Sequence, residues 1–328
     1  HSSKDWTGLP IMAANMDTTG TFNMGSELSQ HGCVTCLHKH YGYDKIIDYF
    51  KYYNIEPYAW LSVGMPENKN EVLDHLHRVE KGVKYAPNIC IDIANGYTEK
   101  FVDWCRLVRT KFPDSIIMAG NICTPEMVQE LILHGGVDIV KVGIGPGSAC
   151  TTRLQTGVGY PQLSAIMECA HAAHGIKSGD KRMGLICADG GCRQPADVCK
   201  AFAAGADFVM LGGMLAGTDE CEGEWEYHEP PLGTTKKRQA SKKKKSLKFY
   251  GMSSETAQDK YNGGMNEYAS SEGRVKTIPY KGTAKDVISN ISGGVRSCCA
   301  YLGATTLKDL PKCAKAVKVN RTHFDKTV

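Results

Sequence analysis

Apolar residues fall along this chain in two rhythms. Short runs bounded by Gly, Pro and Asn recur at about 10–16, 34–39, 58–63, 88–94, 115–122, 139–145, 183–188 and 207–212, which makes eight strand-like stretches. Between them, stretches such as Glu99 to Thr110, Pro125 to His134, Leu163 to Ala173 and Pro195 to Ala204 space their apolar residues as one face of a helix does. Eight alternating strand and helix units predict an α/β fold, a closed (β/α)8 TIM barrel whose strand ends all deliver their following loops to one face. The alternative is an open doubly wound sheet. That fold ordinarily carries G-x-G-x-x-G opening a helix after an early strand, and no such turn stands there.

One interval breaks the rhythm. Gly212-Gly213-Met214 should lead straight into a helix, yet the next strong helical pattern begins near Ala284. The gap is rich in Gly, Lys and Ser and far exceeds the usual connection of about 2–6 residues. The expectation is one catalytic barrel domain over 1–328, with a mobile flap inserted at 217–282 between strand 8 and helix 8, and a C-terminal tail at 311–328. Within the flap, Lys236-Lys237-Arg238 and Lys242 to Lys245 read as a solvated loop tip rather than a targeting signal or an anion-binding patch.

Charge changes this picture little. Thirty-nine Lys+Arg against 35 Asp+Glu leave a net charge of +4 over 328 residues, so neither nucleic acid nor an anionic surface is the expected partner. No apolar run approaches the ~20 residues of a membrane span, and the N-terminus lacks a charged-then-apolar leader; a cytosolic protein is expected. The chain opens on His1 rather than Met, as a trimmed or processed form would.

The 14 cysteines are scattered, several within strand-like runs, which fits reduced buried thiols better than secreted cross-links. Cys33-Val34-Thr35-Cys36-Leu37-His38-Lys39-His40 offers a zinc-like set, but on a strand Cys36, His38 and His40 share one face while Cys33 points to the other. Cys187 and Cys192, or the adjacent Cys298 and Cys299, could be redox-active; buried free thiols are the simpler account.

Candidate chemistry collects after strands 6, 7 and 8. In such barrels the loops after strands 7 and 8 commonly cradle phosphate. Here they read Asp189-Gly190-Gly191 and Gly212-Gly213, so backbone amides can meet an anion, and the Asp189 carboxylate suits the paired hydroxyls of a ribose. A nucleoside monophosphate becomes a candidate ligand. The loop after strand 6, Gly143-Ile144-Gly145-Pro146-Gly147-Ser148-Ala149-Cys150-Thr151-Thr152-Arg153, cannot continue a strand and leaves carbonyls free for a cation and amides free for an anion. Cys150 can act there as a nucleophile once ionised, and Thr152 can pass a proton.

That loop resembles the signature of the IMP dehydrogenase and GMP reductase superfamily, and its continuation Thr156-Gly157-Val158-Gly159-Tyr160-Pro161-Gln162 resembles the GMP reductase branch. Ala13-Ala14-Asn15-Met16-Asp17, His38-Lys39-His40-Tyr41, Asp92-Ile93-Ala94-Asn95-Gly96-Tyr97, Met118-Ala119-Gly120-Asn121 and Phe249-Tyr250-Gly251-Met252-Ser253-Ser254 match in the same order. The resemblance implies a barrel that reduces GMP to IMP and ammonia with NADPH in purine interconversion and salvage. It also implies a homotetramer. The passage from His38 to Ser62 leaves no room for the regulatory modules usual in dehydrogenases, and Ser271-Glu272-Gly273 resembles the reductase's acidic flap motif.

By the same resemblance Cys150, Thr152 and Glu272 are catalytic: Cys150 attacks C2 of guanine, Thr152 and Glu272 supply the proton for ammonia, and a thioimidate receives hydride. GMP is expected on Ser148, Asp189, Gly190, Gly191, Gly212, Gly213, Gly251, Met252, Ser253, Ser271, Glu272 and Gly273. NADPH is expected on Lys39, Asp92, Ile93, Ala94, Ile144, Gly145, Met252, Tyr268, Ala269, Ser297, Cys298, Cys299 and Ala300. Carbonyls of Gly145, Gly147 and Cys150, with Arg153 nearby, would hold a monovalent cation, usually K+. The family flap carries Arg where this chain has Ala269, and Arg274 is the nearest substitute. The rivals are NAD-dependent oxidation of IMP to XMP, and a purine-nucleotide-binding barrel that has lost catalysis.

Overall fold

The computed structural model describes residues 1, 5–53, 55, 57–229, 243–265 and 270–319. Eight parallel strands close on themselves: β1 Ile11–Ala13, β2 Val34–Leu37, β3 Ala59–Val63, β4 Ile89–Asp92, β5 Ile117–Ile122, β6 Ile139–Val142, β7 Leu185–Asp189 and β8 Phe208–Leu211. Each pairs with its sequence neighbours, and β8 returns to β1 through Ile11 opposite Val209, which excludes the open sheet. The eight runs read from the sequence are these eight strands.

Their apolar character on both faces has a physical cause. Successive side chains point to opposite sides of a strand. In β4, Cys90 points into the barrel while Ile89 and Ile91 meet the outer helices; in β5, Met118 points in and Ile117 and Ala119 point out. Both faces are therefore core, and alternation of apolar with polar residues disappears. Met12, Cys36, Trp60, Cys187 and Met210 fill the rest of the interior, and Trp6 packs beneath it against Phe208.

The outer layer is α1 Phe22–Gln30, α2 Tyr43–Tyr53, α3 Lys69–Gly82, α4 Glu99–Lys111, α5 Pro125–Leu133, α6 Gln162–Gly175 and α7 Pro195–Ala203. Each turns a stripe of apolar residues to the sheet; on α4 the stripe is Phe101, Trp104, Cys105 and Val108, all fully buried. Truncating a ring such as Trp104 in a core this dense costs about 3–5 kcal/mol.

The long interval holds a helix ahead of Ala284, where the next strong helical pattern was expected. It forms an antiparallel sheet, β9 Trp225–Tyr227, β10 Lys244–Tyr250 and β11 Val275–Pro279, and carries helix α8 Glu255–Asn262 before α9 Ala284–Leu302 closes the eighth unit. Helix α8 buries a single side chain, Ala257, and so shows no apolar stripe in the sequence. Its signature is in the caps: the Ser254 hydroxyl accepts from the Ala257 amide, and Gly263 ends the helix in the left-handed region. Lys236, Lys237, Arg238 and Lys242 lie outside the described residues. Lys244 belongs to the sheet, bonded to Asp219 at 3.1 Å and placed over the Trp225 ring. At the other end of the chain, Leu310–Cys313 is a helical turn at the start of the expected tail.

All 14 cysteines are free. Cys33 sits in the outer core and Cys36 in the barrel, on opposite sides of β2 as strand alternation requires. The neighbouring Cys90 thiol and burial together push Cys36 well up, and burial does the same to Cys187; Cys192 is pushed up to about 12. Such thiols stay protonated and inert. No group of three or more His, Cys, Asp and Glu among the described residues could hold a metal ion, and no described helix is long and apolar enough to cross a membrane.

Candidate active site

The loop after β6 carries Cys150 to the rim of the barrel, and a piece of the insertion pairs with it. Cys150 and Gly273 form an antiparallel bridge, the Thr151 amide donates to the Glu272 carbonyl at 2.8 Å, and the Arg274 amide donates to the Ala149 carbonyl at 2.9 Å. This backbone pairing fixes the register, and the register places the side chains. The Cys150 thiol donates to Thr152 Oγ1 at 3.2 Å, and the Thr152 hydroxyl donates to Glu272 Oε2 at 2.7 Å. A thiol, a hydroxyl and a carboxylate thus form one proton path, although the carboxylate lies 120 positions along the chain from the threonine.

Below this path lies a group that the sequence reading left unassigned. Lys141 is 2% exposed, in the middle of β6, and its ammonium pairs with Asp92 at the end of β4 and with Asp189 Oδ2 at the end of β7, the latter at 2.8 Å. Burial opposes its charge, but the Asp189 and Asp92 carboxylates outweigh burial and hold the Lys141 pKa well above the ordinary lysine value. Burial alone would raise Asp92; Lys141, a hydrogen bond from Asn15 and the nearby Lys39 bring it below the ordinary value. Asn121 on β5 also donates to Asp189, at 2.9 Å. The signal was available: Ile139-Val140-Lys141-Val142 sets a lone charge inside a buried apolar run, and a charge so placed requires partners.

Two cavities meet above these groups. One, of about 280 Å³, is lined by Cys150, Thr152 and Glu272 and by Ser148, Asp189, Gly190, Gly191, Gly212, Gly213, Gly251, Met252 and Ser253. Ser271 and Gly273 flank Glu272, with the Ser271 hydroxyl accepting the first amide of α8. Gly190 and Gly191 have φ of +84° and +90°, a conformation that a side chain would strain, so their backbone is bare toward the cavity. A Cβ on Gly213 would come within 2.9 Å of the Ser148 hydroxyl, which shows how closely these two loops approach.

The second cavity, of about 550 Å³, is lined by Lys39, His38, Tyr41, Leu61, Val63 and Val72, among others. Asp92, Ile93, Ala94, Met252 and Ser253 line both cavities and form their common wall. Ile144 and Gly145 line the first cavity only. His38 is buried, which holds its imidazole down at about 4 and so neutral at pH 7.

Other expected residues stand elsewhere. Ser297, Cys298, Cys299 and Ala300 lie on α9 and line neither cavity. Tyr268 and Ala269 fall outside the described residues. Arg153 folds back along its own loop, donating to the carbonyls of Ile144 and Tyr160, and the Gly147 carbonyl accepts the Cys150 amide at 3.0 Å. Arg274 donates to the Ser148 carbonyl through both Nε and Nη2, so a guanidinium does stand at the rim of the first cavity.

Comparison with known proteins converges on one family. The model of the IMP dehydrogenase / GMP reductase domain matches residues 6–326. GMP reductase 1 of Mus musculus is 48% identical over 98% of this chain and 87% of its own length, and GMP reductase of Vibrio atlanticus is 46% identical over 97% and 86%. Among solved structures, inosine 5′-monophosphate dehydrogenase from Legionella pneumophila superposes with a TM-score of 0.75 at 33% identity, covering 95% of this chain and 88% of that one.

Proposed function

The chain belongs to the IMP dehydrogenase / GMP reductase family, and on that premise we propose that it is an oxidoreductase converting GMP to IMP and ammonia with NADPH. The observation that carries this reading is the Cys150–Thr152–Glu272 path at the rim of the smaller cavity, beside the wall that this cavity shares with the larger one. GMP takes the smaller cavity, with its phosphate against the amides of Gly190, Gly191 and Gly213 and its ribose hydroxyls toward Asp189. NADPH takes the larger one, where Lys39 offers a cation and Leu61, Val63 and Val72 an apolar bed.

Cys150 passes its proton toward Thr152 and forms a bond from sulfur to C2 of the purine. Thr152 and Glu272 return a proton to the amino nitrogen, the C2–N bond breaks, and ammonia leaves a covalent thioimidate. Bound NADPH supplies hydride chemistry, for which C2 must face the common wall at Ala94 and Met252. With hydride on C2, the carbon–sulfur bond breaks and frees IMP and the thiolate. The protein's part is position and proton traffic.

A monovalent cation, K+, is proposed on the carbonyls of Gly145, Gly147 and Cys150. The irregular backbone of the loop, with Gly145 in the left-handed region, supports it. A homotetramer is proposed as well. The exposed Leu154, Val158, Leu163 and Met167 favour association. Free thiols throughout support a cytosolic setting.

The test is the product. GMP-dependent loss of NADPH with equal amounts of IMP and ammonia is expected. NAD-dependent oxidation of IMP instead would establish the dehydrogenase reading, and GMP binding without turnover the retired one. The bonded Cys150, Thr152 and Glu272 argue against the latter.

A further inference from the structure

We propose that Asp17 is a positioning residue that clasps the insertion to the barrel and thereby holds Glu272 in place. Asp17 follows β1, and its side chain is 2% exposed. One oxygen, Oδ2, accepts from Tyr250 Oη at 2.6 Å, Tyr261 Oη at 2.7 Å and Lys260 Nζ at 2.8 Å. All three donors belong to the insertion, 233 to 244 positions away. Tyr250 ends β10, while Lys260 and Tyr261 stand in the last turns of α8. The carboxylate therefore grips both ends of the segment that carries Met252 and Ser253, the part of the common wall that the barrel does not supply.

Beyond Asp17, the start of that segment is held by the pairing of Tyr250 with Val275 and by the Glu255 amide on the Ser271 hydroxyl, but its helical end has less to hold it. Helix α8 buries only Ala257, so apolar contact contributes weakly there. The barrel adds the His40 ring, stacked on Tyr261 with centroids 3.5 Å apart. From this segment the Ser253 carbonyl accepts the Glu272 amide at 3.2 Å, and Glu272 in turn accepts from Thr152. Glu272 thus has two backbone supports, Ser253 and the pairing with the Cys150 loop, and a displaced segment would remove the first and loosen Glu272 against Thr152. For its catalytic consequence the inference rests on the function proposed above; for its geometry it does not.

Hydrogen–deuterium exchange of the full chain, compared for wild type and Asp17→Asn, tests it. Peptides covering 250–262 and 271–274 are expected to exchange at least tenfold faster, with strands β1 to β8 unchanged, and kcat is expected to fall at least tenfold. Should Asp17→Asn fail to fold, Lys260→Met and Tyr261→Phe remove donors from the insertion side, where both side chains are partly exposed. These are expected to give a smaller acceleration confined to the same peptides. Wild-type exchange at 250–262 in every folded variant, or equal acceleration throughout the barrel strands, overturns the clasp. A wild-type enzyme that consumes no NADPH with GMP counts against the proposed function, and the exchange pattern still decides the clasp.

Discussion

Around Cys150 the chain is held by β5, β6 and β7, whose outward residues Ile117, Val140 and Ile186 are fully buried; around Glu272 it is held by a sheet and a helix that buries one side chain. The nucleophile thus stands on a loop of the barrel and its proton partner on the insertion, where β10 buries Leu247 and Phe249 but α8 is fastened mainly by polar contacts. The difference teaches where stability and chemistry separate. Damage to the barrel side should cost both, whereas damage to the polar contacts of the insertion should cost turnover alone.

Glu272→Gln is the sharpest test of that separation. It keeps the backbone pairing to Thr151 and removes the acid, so kcat should fall by about 10²–10⁴ with little change in the urea midpoint. A midpoint that fell with kcat would break the comparison. Lys141→Met probes the other side. It leaves Asp92 and Asp189 without their shared ammonium, and unfolding titrations should show a loss of about 3–5 kcal/mol together with impaired turnover.

The seam between the two parts has a pH signature. Burial lowers His38 to about 4 from an unfolded value near 6.5, so the unfolded chain binds the proton first as pH falls. Its contribution is present above about pH 6.5 and lost between there and pH 4, up to about 3 kcal/mol, and His38→Asn should flatten that slope in urea midpoints. The smallest expected effect is Ser254→Ala. Loss of the cap should weaken α8 by about 1 kcal/mol, visible as faster exchange at 255–262 with an unchanged global midpoint.

The barrel was readable because each buried strand leaves an apolar run bounded by turn residues, a signal carried by neighbours in sequence. Cys150 and Thr152 were readable for the same reason, being two positions apart in a loop that no strand could contain. Glu272 came only through resemblance, and Lys141, Asn121 and Asp17 were not assigned roles. Lys141 meets its carboxylates 48 and 49 positions away, and no periodicity records such a meeting. Helix α8 was missed because a helix without a buried stripe has only its caps to announce it.

By itself, then, the order of residues determined eight buried strands, the unusual backbone of the loop from Gly143 to Arg153, and the interruption after Gly213. Those features follow from local sterics and from which side chains avoid water, and both act between near neighbours. Tertiary structure decided the rest: that Thr152 meets Glu272, that Lys141 joins Asp92 to Asp189, that Asp17 receives three donors from the insertion, and that two cavities share one wall. Hydrogen bonds and ion pairs take effect at about 3 Å in space, and only the folded chain brings such distant residues that close.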